Sequence, residues 1–165
     1  MNISLTVSGK EEVLNAFKTV EDGCADLRKL GTWKAVATEF YKIEKEQFSS
    51  EGSAGASGKW EALSPAYAVQ KQKKYGSQPI LQASGAMYKS LTSSGGPTSV
   101  YQEEAQELTL GSSSPIPGYH QRGGRVPQRK PVDPSDAQKE RLAEVIRGKL
   151  RQLASNARLR DVRGF

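Results

Sequence analysis

The sequence has a single cysteine, Cys24, and a single histidine, His120. Zinc sites combine several Cys and His side chains at fixed spacings, so a site of that kind is excluded. One cysteine cannot form an intrachain disulfide, which favours a reducing compartment. His120 is the only candidate base for a Ser or Cys nucleophile, and a lone histidine in a Gly-rich segment is more typical of structural hydrogen bonding. The sequence therefore predicts no enzyme, and catalysis through His120 is the least favoured alternative.

Long apolar runs are also missing. No stretch approaches the roughly 20 apolar residues that span a bilayer, and the first nine residues lack the basic and apolar regions of a signal peptide. Phosphate-binding loops of the types G-x-x-x-x-G-K-[ST] and G-x-G-x-x-G are absent. We therefore expect no membrane contact and no cofactor or metal, in a chain that is made and kept in a cytoplasm.

Positive charge is concentrated at one end of the chain. Residues 122–165 hold twelve Lys and Arg against five Asp and Glu, a net +7, whereas residues 1–121 hold twelve against thirteen. A basic surface can attract nucleic acid, an anionic membrane or an acidic protein face, and composition does not choose among them. The segment Arg122-Gly123-Gly124-Arg125 resembles one copy of an RNA-binding arginine–glycine box, although a glycine turn is the favoured interpretation.

Hydrophobic periodicity and capping residues predict an α+β fold. Residues 3–7 alternate as a short strand, and helices are expected over 10–30, 32–48, 65–75, near 84–91, and from about 133 to 157. The first helix carries an apolar stripe formed by Val13, Phe17, Val20, Cys24 and Leu27. Strands over 98–101 and 107–111 form a hairpin. The expected fold is a small, mostly antiparallel sheet packed by helices, with long flexible loops and a C-terminal amphipathic helix.

The remaining segments are expected to be irregular within a single domain spanning residues 1–165. The stretch 49–59, SSEGSAGASGK, is predicted to be a flexible loop without packing contacts, and Trp60 and Leu63 are expected to anchor the chain after it. A second flexible segment is expected over about 112–132, because Pro and Gly are frequent there. A basic, frayed tail is expected over about 158–165.

Four motifs occur in a fixed order along the middle and end of the chain. The first is W-x-x-L at Trp60 and Leu63, and the second is PILQASGAMYKSL over 79–91. The third is YHQRGG over 119–124, and the fourth is PQRKP over 127–131. This order resembles the phage virion morphogenesis and tail completion family over about residues 40–155. The chain departs from the family pattern at Met87, at the tyrosine directly before His120, and at Lys130.

The resemblance implies a non-enzymatic structural role. Proteins of this family help to complete the phage tail or to join it to the head, which implies a virion protein of the neck or tail. The implied partners are further copies of the chain in a ring and neighbouring neck, connector or tail proteins, with at most non-specific DNA contact. The alternative function is that of a basic nucleic-acid-binding accessory protein. The family-motif residues are Trp60, Leu63, Leu81, Gly85, Leu91, His120, Gly123, Gly124, Pro127 and Arg129, and the candidate partner-binding residues are Arg122, Arg125, Arg129, Arg147 and Arg151.

Overall fold

The structure, a computed structural model, describes residues 10–162. This part contains six α-helices, one short 3-10 helix (Leu27–Leu30) and two strands. The predicted strand at residues 3–7 lies outside the described residues. The observed elements confirm the α+β prediction with its C-terminal helix. They are α1 (Lys10–Ala25), α2 (Thr32–Ser49), α3 (Pro65–Tyr75), α4 (Ala86–Thr92), β1 (Ser99–Glu103), β2 (Leu108–Ser112), α5 (Pro115–Arg122) and α6 (Asp136–Val162).

The two strands form an antiparallel hairpin whose position agrees with the prediction to within two residues. Ser99 pairs with Ser112 and Glu103 pairs with Leu108 at the two ends of the ladder. The turn of the hairpin is tied to α2, because the indole nitrogen of Trp33 donates a 2.7 Å hydrogen bond to the carbonyl of Glu104. This bond fixes the hairpin against the helical part of the molecule.

The core lies between the end of α2 and the start of α4. Phe48, Trp60, Ile80 and Leu91 are buried together, and the rings of Phe48 and Trp60 meet edge to face at 5.5 Å. The indole nitrogen of Trp60 donates to the carbonyl of Lys130 at 3.1 Å. Trp60 therefore anchors the chain, as predicted, because its ring fills the core and its polar end has a partner.

The apolar stripe predicted for α1 is only partly correct. Phe17 is 70% exposed and Cys24 is exposed, whereas Val20 is half-buried and Gly23 is buried. Gly23 faces Leu153 of α6, and a Cβ at this position would lie 2.3 Å from Leu153 Cδ2. The missing side chain lets the two helices approach closely, so α1 turns its glycine inward and Phe17 outward. The side chain of Val13 lies outside the described residues.

The first helix is also shorter than expected. It ends at Ala25 instead of Leu30, because Asp26 leaves the helical conformation and caps the following 3-10 helix. The Asp26 carboxylate accepts a hydrogen bond from the Arg28 N–H at 3.1 Å. Gly31, with φ of +62°, ends this helical region in the left-handed conformation that favours glycine.

The last helix begins and ends later than predicted. Ser135 and Gln138 cap its first turn reciprocally, since the Ser135 N–H donates to Gln138 Oε1 and the Gln138 N–H donates to Ser135 Oγ. Asp133, the expected cap, accepts a hydrogen bond from the Ser57 N–H at 2.6 Å instead. The helix continues to Val162, so the tail predicted from residue 158 begins as helix.

The prediction that segment 49–59 makes no packing contacts is wrong. Its backbone forms successive turns, and the Ala56 N–H donates to the carbonyl of Asp133 at 2.9 Å. Gly52 is buried beneath Trp60, where a Cβ would lie 2.5 Å from the indole ring. Small residues serve here for close packing as well as for turning the chain. The predicted flexibility of the segment stays a prediction.

Segment 112–132 contains a helix that the sequence reading missed. The Ser114 hydroxyl accepts a hydrogen bond from the Ile116 N–H at 3.3 Å, and Pro115 occupies the first helical position, where no N–H is needed. The helix ends at Gly123, which has a φ of +77°. The proline and glycine residues therefore delimit α5 instead of preventing it.

Candidate partner-binding cleft

A cleft of about 280 Å³ lies where α3, α4 and α5 meet the segments that connect them. Its walls are mostly apolar, and hydroxyl groups lie along its rim. Three basic side chains, those of Lys71, His120 and Arg129, line it as well. The apolar lining comprises Leu63, Leu81, Ala83, Ala86, Met87 and Ile116, and the hydroxyl groups are those of Tyr67, Tyr75, Ser84, Thr98 and Ser114.

One wall of the cleft is a single face of α3. Tyr67, Lys71 and Tyr75 follow one another at intervals of four residues, so they share one side of the helix. The helix starts at Ser64-Pro65 and ends before Gly76, as the sequence predicted. Tyr67 is 47% exposed and Tyr75 is 37% exposed, which leaves their rings accessible at the rim.

The opposite wall is formed by a strained turn before α4. Leu81 has a φ of +62°, which is uncommon for a residue with a branched side chain and costs on the order of 1 kcal/mol. The neighbouring Ile80 is buried in the core, and its N–H donates to the Glu51 carboxylate at 3.1 Å. The core and this hydrogen bond hold the turn, so Leu81 faces the cleft.

Lys71 fastens α3 to the same turn. Its ammonium group donates hydrogen bonds to the carbonyls of Gln78 at 2.6 Å and Pro79 at 2.5 Å, and the residue is 4% exposed. Burial lowers the pKa of Lys71, and the charge of Glu51 offsets part of that effect. The lysine therefore acts as a clamp inside the molecule, unlike Lys73 and Lys74, which are exposed.

Arg129 joins two of the sequence motifs. Its Nε donates to the carbonyl of Glu61 at 2.7 Å and its Nη2 donates to the carbonyl of Ala62 at 3.0 Å. Its backbone N–H donates to the carbonyl of His120 at 3.0 Å. Arg129 is 5% exposed, so it lies inside the chain and not on its surface. Arg129 therefore has a structural role within the chain, and its predicted partner contact stays a prediction.

His120 lies on α5 and lines the cleft. Its Nδ1 is buried and has no hydrogen-bond partner within residues 10–162, while the ring forms a hydrogen bond with the backbone of Pro127. Burial lowers the pKa of His120, the positive charge of Arg129 lowers it further, and the carbonyl of Pro127 works in the opposite direction. The ring is therefore neutral at physiological pH.

The cleft combines apolar walls with basic side chains. Among the described residues that line it, none is Asp or Glu, while Lys71 and Arg129 are basic, and the charge of Glu51 acts on Lys71 from outside the lining. Their hydrogen-bond partners are neutral carbonyls. A group that combines an apolar side chain with a carboxylate would match both properties of the cleft.

The predicted motif residues converge on this region. Leu63, Leu81, His120 and Arg129 line the cleft, while Trp60 and Leu91 form the core beside it. Gly85, with φ of +72°, precedes α4. Gly123 and Gly124, with φ of +77° and +104°, follow α5, and Pro127 lies near His120. Four motifs spread over residues 60–131 thus build one place in the fold.

The other predicted partner contacts lie elsewhere. Arg122 and Arg125 are exposed and line a separate shallow depression beside Tyr119. Arg147 forms ion pairs with Glu140 and Glu144, and Arg151 pairs with Glu144. Part of the basic face of α6 is therefore paired with its own carboxylates, which the net charge of +7 for residues 122–165 already counts.

The sequence reading missed the side chains that complete the cleft, namely Tyr67, Lys71, Tyr75 and Ile116. The regular spacing of the first three on α3 was an available signal. Ile116 could have been found through the Ser114-Pro115 helix start. Within the described ranges, no three His, Cys, Asp or Glu residues are grouped to hold a metal, and no helix is long and apolar enough to cross a membrane.

Comparison with known proteins gives one match. The model of the phage virion morphogenesis family matches residues 9–151, a range that includes all four motifs and every residue of the cleft. No curated protein and no solved structure matches the chain significantly.

Proposed function

Because the chain belongs to the phage virion morphogenesis family, we propose that it is a structural subunit of a tailed-phage particle that completes the tail or joins it to the head. Its place would be the neck or tail of the virion, reached from the host cytoplasm during assembly. It would act through protein–protein contacts, with further copies of itself in a ring and with adjacent connector or tail proteins.

The observation that carries this proposal is the convergence of the family motifs on the cleft. Two buried cations there are held by backbone carbonyls, and His120 has no carboxylate beside it in the described lining. Ser84 and Ser114 also line the cleft, but no carboxylate of the described lining orients His120 as a base. The mostly apolar walls support a binding site for a protein segment, as the proposed structural role requires.

The experiment that tests this function is deletion of the coding sequence from the phage, followed by electron microscopy of the lysate. We expect DNA-filled heads and separate tails that do not join, and normal particles when the wild-type chain is supplied in trans. Gold-labelled antibody should mark the head–tail junction or the adjoining tail end of normal virions. Normal joined particles without the chain would contradict the proposal.

Nucleic-acid binding remains the second candidate because Arg122 and Arg125 are exposed beside each other. Two such contacts predict weak binding to duplex DNA, with an affinity that falls with salt at a log–log slope of about −2. A steeper slope together with a clear sequence preference would favour this second function. The pairing of Arg147 and Arg151 with glutamates is the reason for expecting a small slope.

A further inference from the structure

The outward face of α1 is an exposed apolar surface with negative charge. Leu14 is 55% exposed and Phe17 is 70% exposed. Glu21 is also exposed and lies four residues after Phe17, so the three side chains project within about 60° of one another around the helix. The opposite side of α1 packs against α6 through Gly23. The Leu14, Phe17 and Glu21 face is therefore available to a partner.

The cleft has the complementary chemistry. Its walls are apolar, no carboxylate lies in its described lining, and the exposed Lys74, whose ammonium lies over the ring of Tyr75, adds positive charge beside it on α3. The sequence of α3 contains three lysines and no acidic residue, whereas that of α1 contains four acidic residues and two lysines. The described lining of the cleft contains no carboxylate, whereas α1 displays an aromatic ring with a carboxylate beside it.

We propose that the α1 face of one copy docks in the cleft of a second copy, with Phe17 between the apolar walls and Glu21 towards Lys74 of α3. This inference rests on the proposed function and deepens it by naming the two surfaces through which copies of the chain meet. The two surfaces are different patches of the same molecule, so a pair of copies keeps one free cleft on one copy and one free α1 face on the other. Such a head-to-tail contact builds a closed ring, or a filament where the rotation does not close.

Three substitutions at exposed positions test the contact by sedimentation velocity over a concentration series. Phe17→Ser removes the inserted ring. Ile116→Asp places a negative charge on the cleft wall, and an acidic residue is well tolerated in the first turn of α5. Val69→Ser is the matched control, because Val69 is also 70% exposed and lies on the side of α3 away from Tyr67 and Lys71.

We expect the wild-type chain and the Val69→Ser variant to associate alike. Phe17→Ser and Ile116→Asp should each weaken association roughly 30-fold, which is typical of losing a central interface side chain. A mixture of these two variants should form a dimer that grows no further, because the Phe17→Ser copy offers an intact cleft and the Ile116→Asp copy an intact α1 face. Circular dichroism should show unchanged helix content in all three variants.

Other outcomes overturn the contact. Association that is unaffected by both substitutions would place the interface elsewhere, and a mixture that stays monomeric would exclude this pairing of surfaces. A wild-type chain that is monomeric at every concentration would exclude a second copy as the occupant. If a duplex oligonucleotide binds in the cleft and α1 of a second copy does not, the cleft is a nucleic-acid-binding surface. The electron microscopy of the deletion phage does not depend on these results. It therefore tests the proposed function separately from the contact between α1 and the cleft.

Discussion

Glu44 should make the folded protein less stable as the pH rises from acid to neutral. Its side chain lies on α2 with no exposed surface, and neither carboxylate oxygen has a hydrogen-bond partner in the described part of the chain. Burial raises the pKa of Glu44 from 4.5 to about 8, and the negative charge of Asp133 contributes to the rise. At neutral pH the folded chain therefore keeps a proton that the unfolded chain has released.

The size of the effect follows from this difference in proton binding. Between pH 4.5 and 8 the folded state holds one more proton than the unfolded state, so the free energy of unfolding falls by about 1.4 kcal/mol per pH unit. From pH 4.5 to pH 7.5 the loss reaches roughly 4 kcal/mol, and it levels off above pH 8, where the folded chain ionises as well. A loss of this size is a large part of the stability of a small domain.

The assay is urea unfolding at pH 5, 6, 7 and 8 for the wild-type chain and for Glu44→Gln, which cannot ionise. The difference in unfolding free energy between the two proteins should change by about 1.4 kcal/mol per pH unit in favour of the glutamine variant. Contributions from other titrating groups, including His120, cancel in this difference. Glu61→Gln, at an exposed position, is the control and should leave the pH profile unchanged. Parallel profiles for wild type and Glu44→Gln would refute the reasoning.

Two further substitutions probe the packing beside the cleft. Gly52→Ala should lower the free energy of unfolding by about 3 kcal/mol, because the new Cβ would lie 2.5 Å from the Trp60 ring at a φ of +94°. Gly31→Ala, at a φ of +62° in the left-handed helical region and in open space, should cost only about 1 kcal/mol, and equal losses in thermal unfolding would contradict this account. Arg129→Lys should cost about 2 kcal/mol, because two separate guanidinium nitrogens reach the carbonyls of Glu61 and Ala62, whereas lysine offers all its donors from one nitrogen on a differently shaped side chain. Urea unfolding measures that loss, and a variant as stable as wild type would show that the guanidinium geometry is not needed at this position.

Local signals in the sequence were sufficient for several helices. The Ser64-Pro65 start and the Gly76 end gave the bounds of α3, and α2 was predicted to within one residue. Capping residues and helix ends depend on backbone groups only a few positions away, so they can be read without knowledge of the fold. The Ser114-Pro115 start of α5 was the same signal, overlooked because Pro and Gly were frequent around it.

Long-range contacts account for the errors. Gly23 is not part of the apolar stripe predicted for α1, yet its missing side chain is what lets Leu153 approach. The glycines of segment 49–59 were expected to give a loose loop, although Gly52 lies under Trp60 and the backbone bonds to Asp133. Neither partner can be identified from neighbouring residues, because each lies far away in the sequence and meets its glycine only after folding.

The cleft was only partly predictable for the same reason. The family motifs pointed to Leu63, Leu81, His120 and Arg129, but not to their meeting at one place. Lys71 belongs to a lysine-rich helix whose residues are otherwise solvated, and its burial depends on the carbonyls of Gln78 and Pro79. Arg129 was expected at the surface because arginine is seldom buried without a partner, and its partners are the carbonyls of Glu61 and Ala62.

The role of the chain in joining the particle can be measured in vitro. Heads and tails from a phage that lacks the chain would be mixed with the purified protein, and joined particles would be counted by electron microscopy and by infectivity. The account predicts that the wild-type chain and the Val69→Ser variant restore joining, and that the folded Ile116→Asp variant does not. Heads and tails that join equally well without the protein, or with the cleft variant, would contradict it.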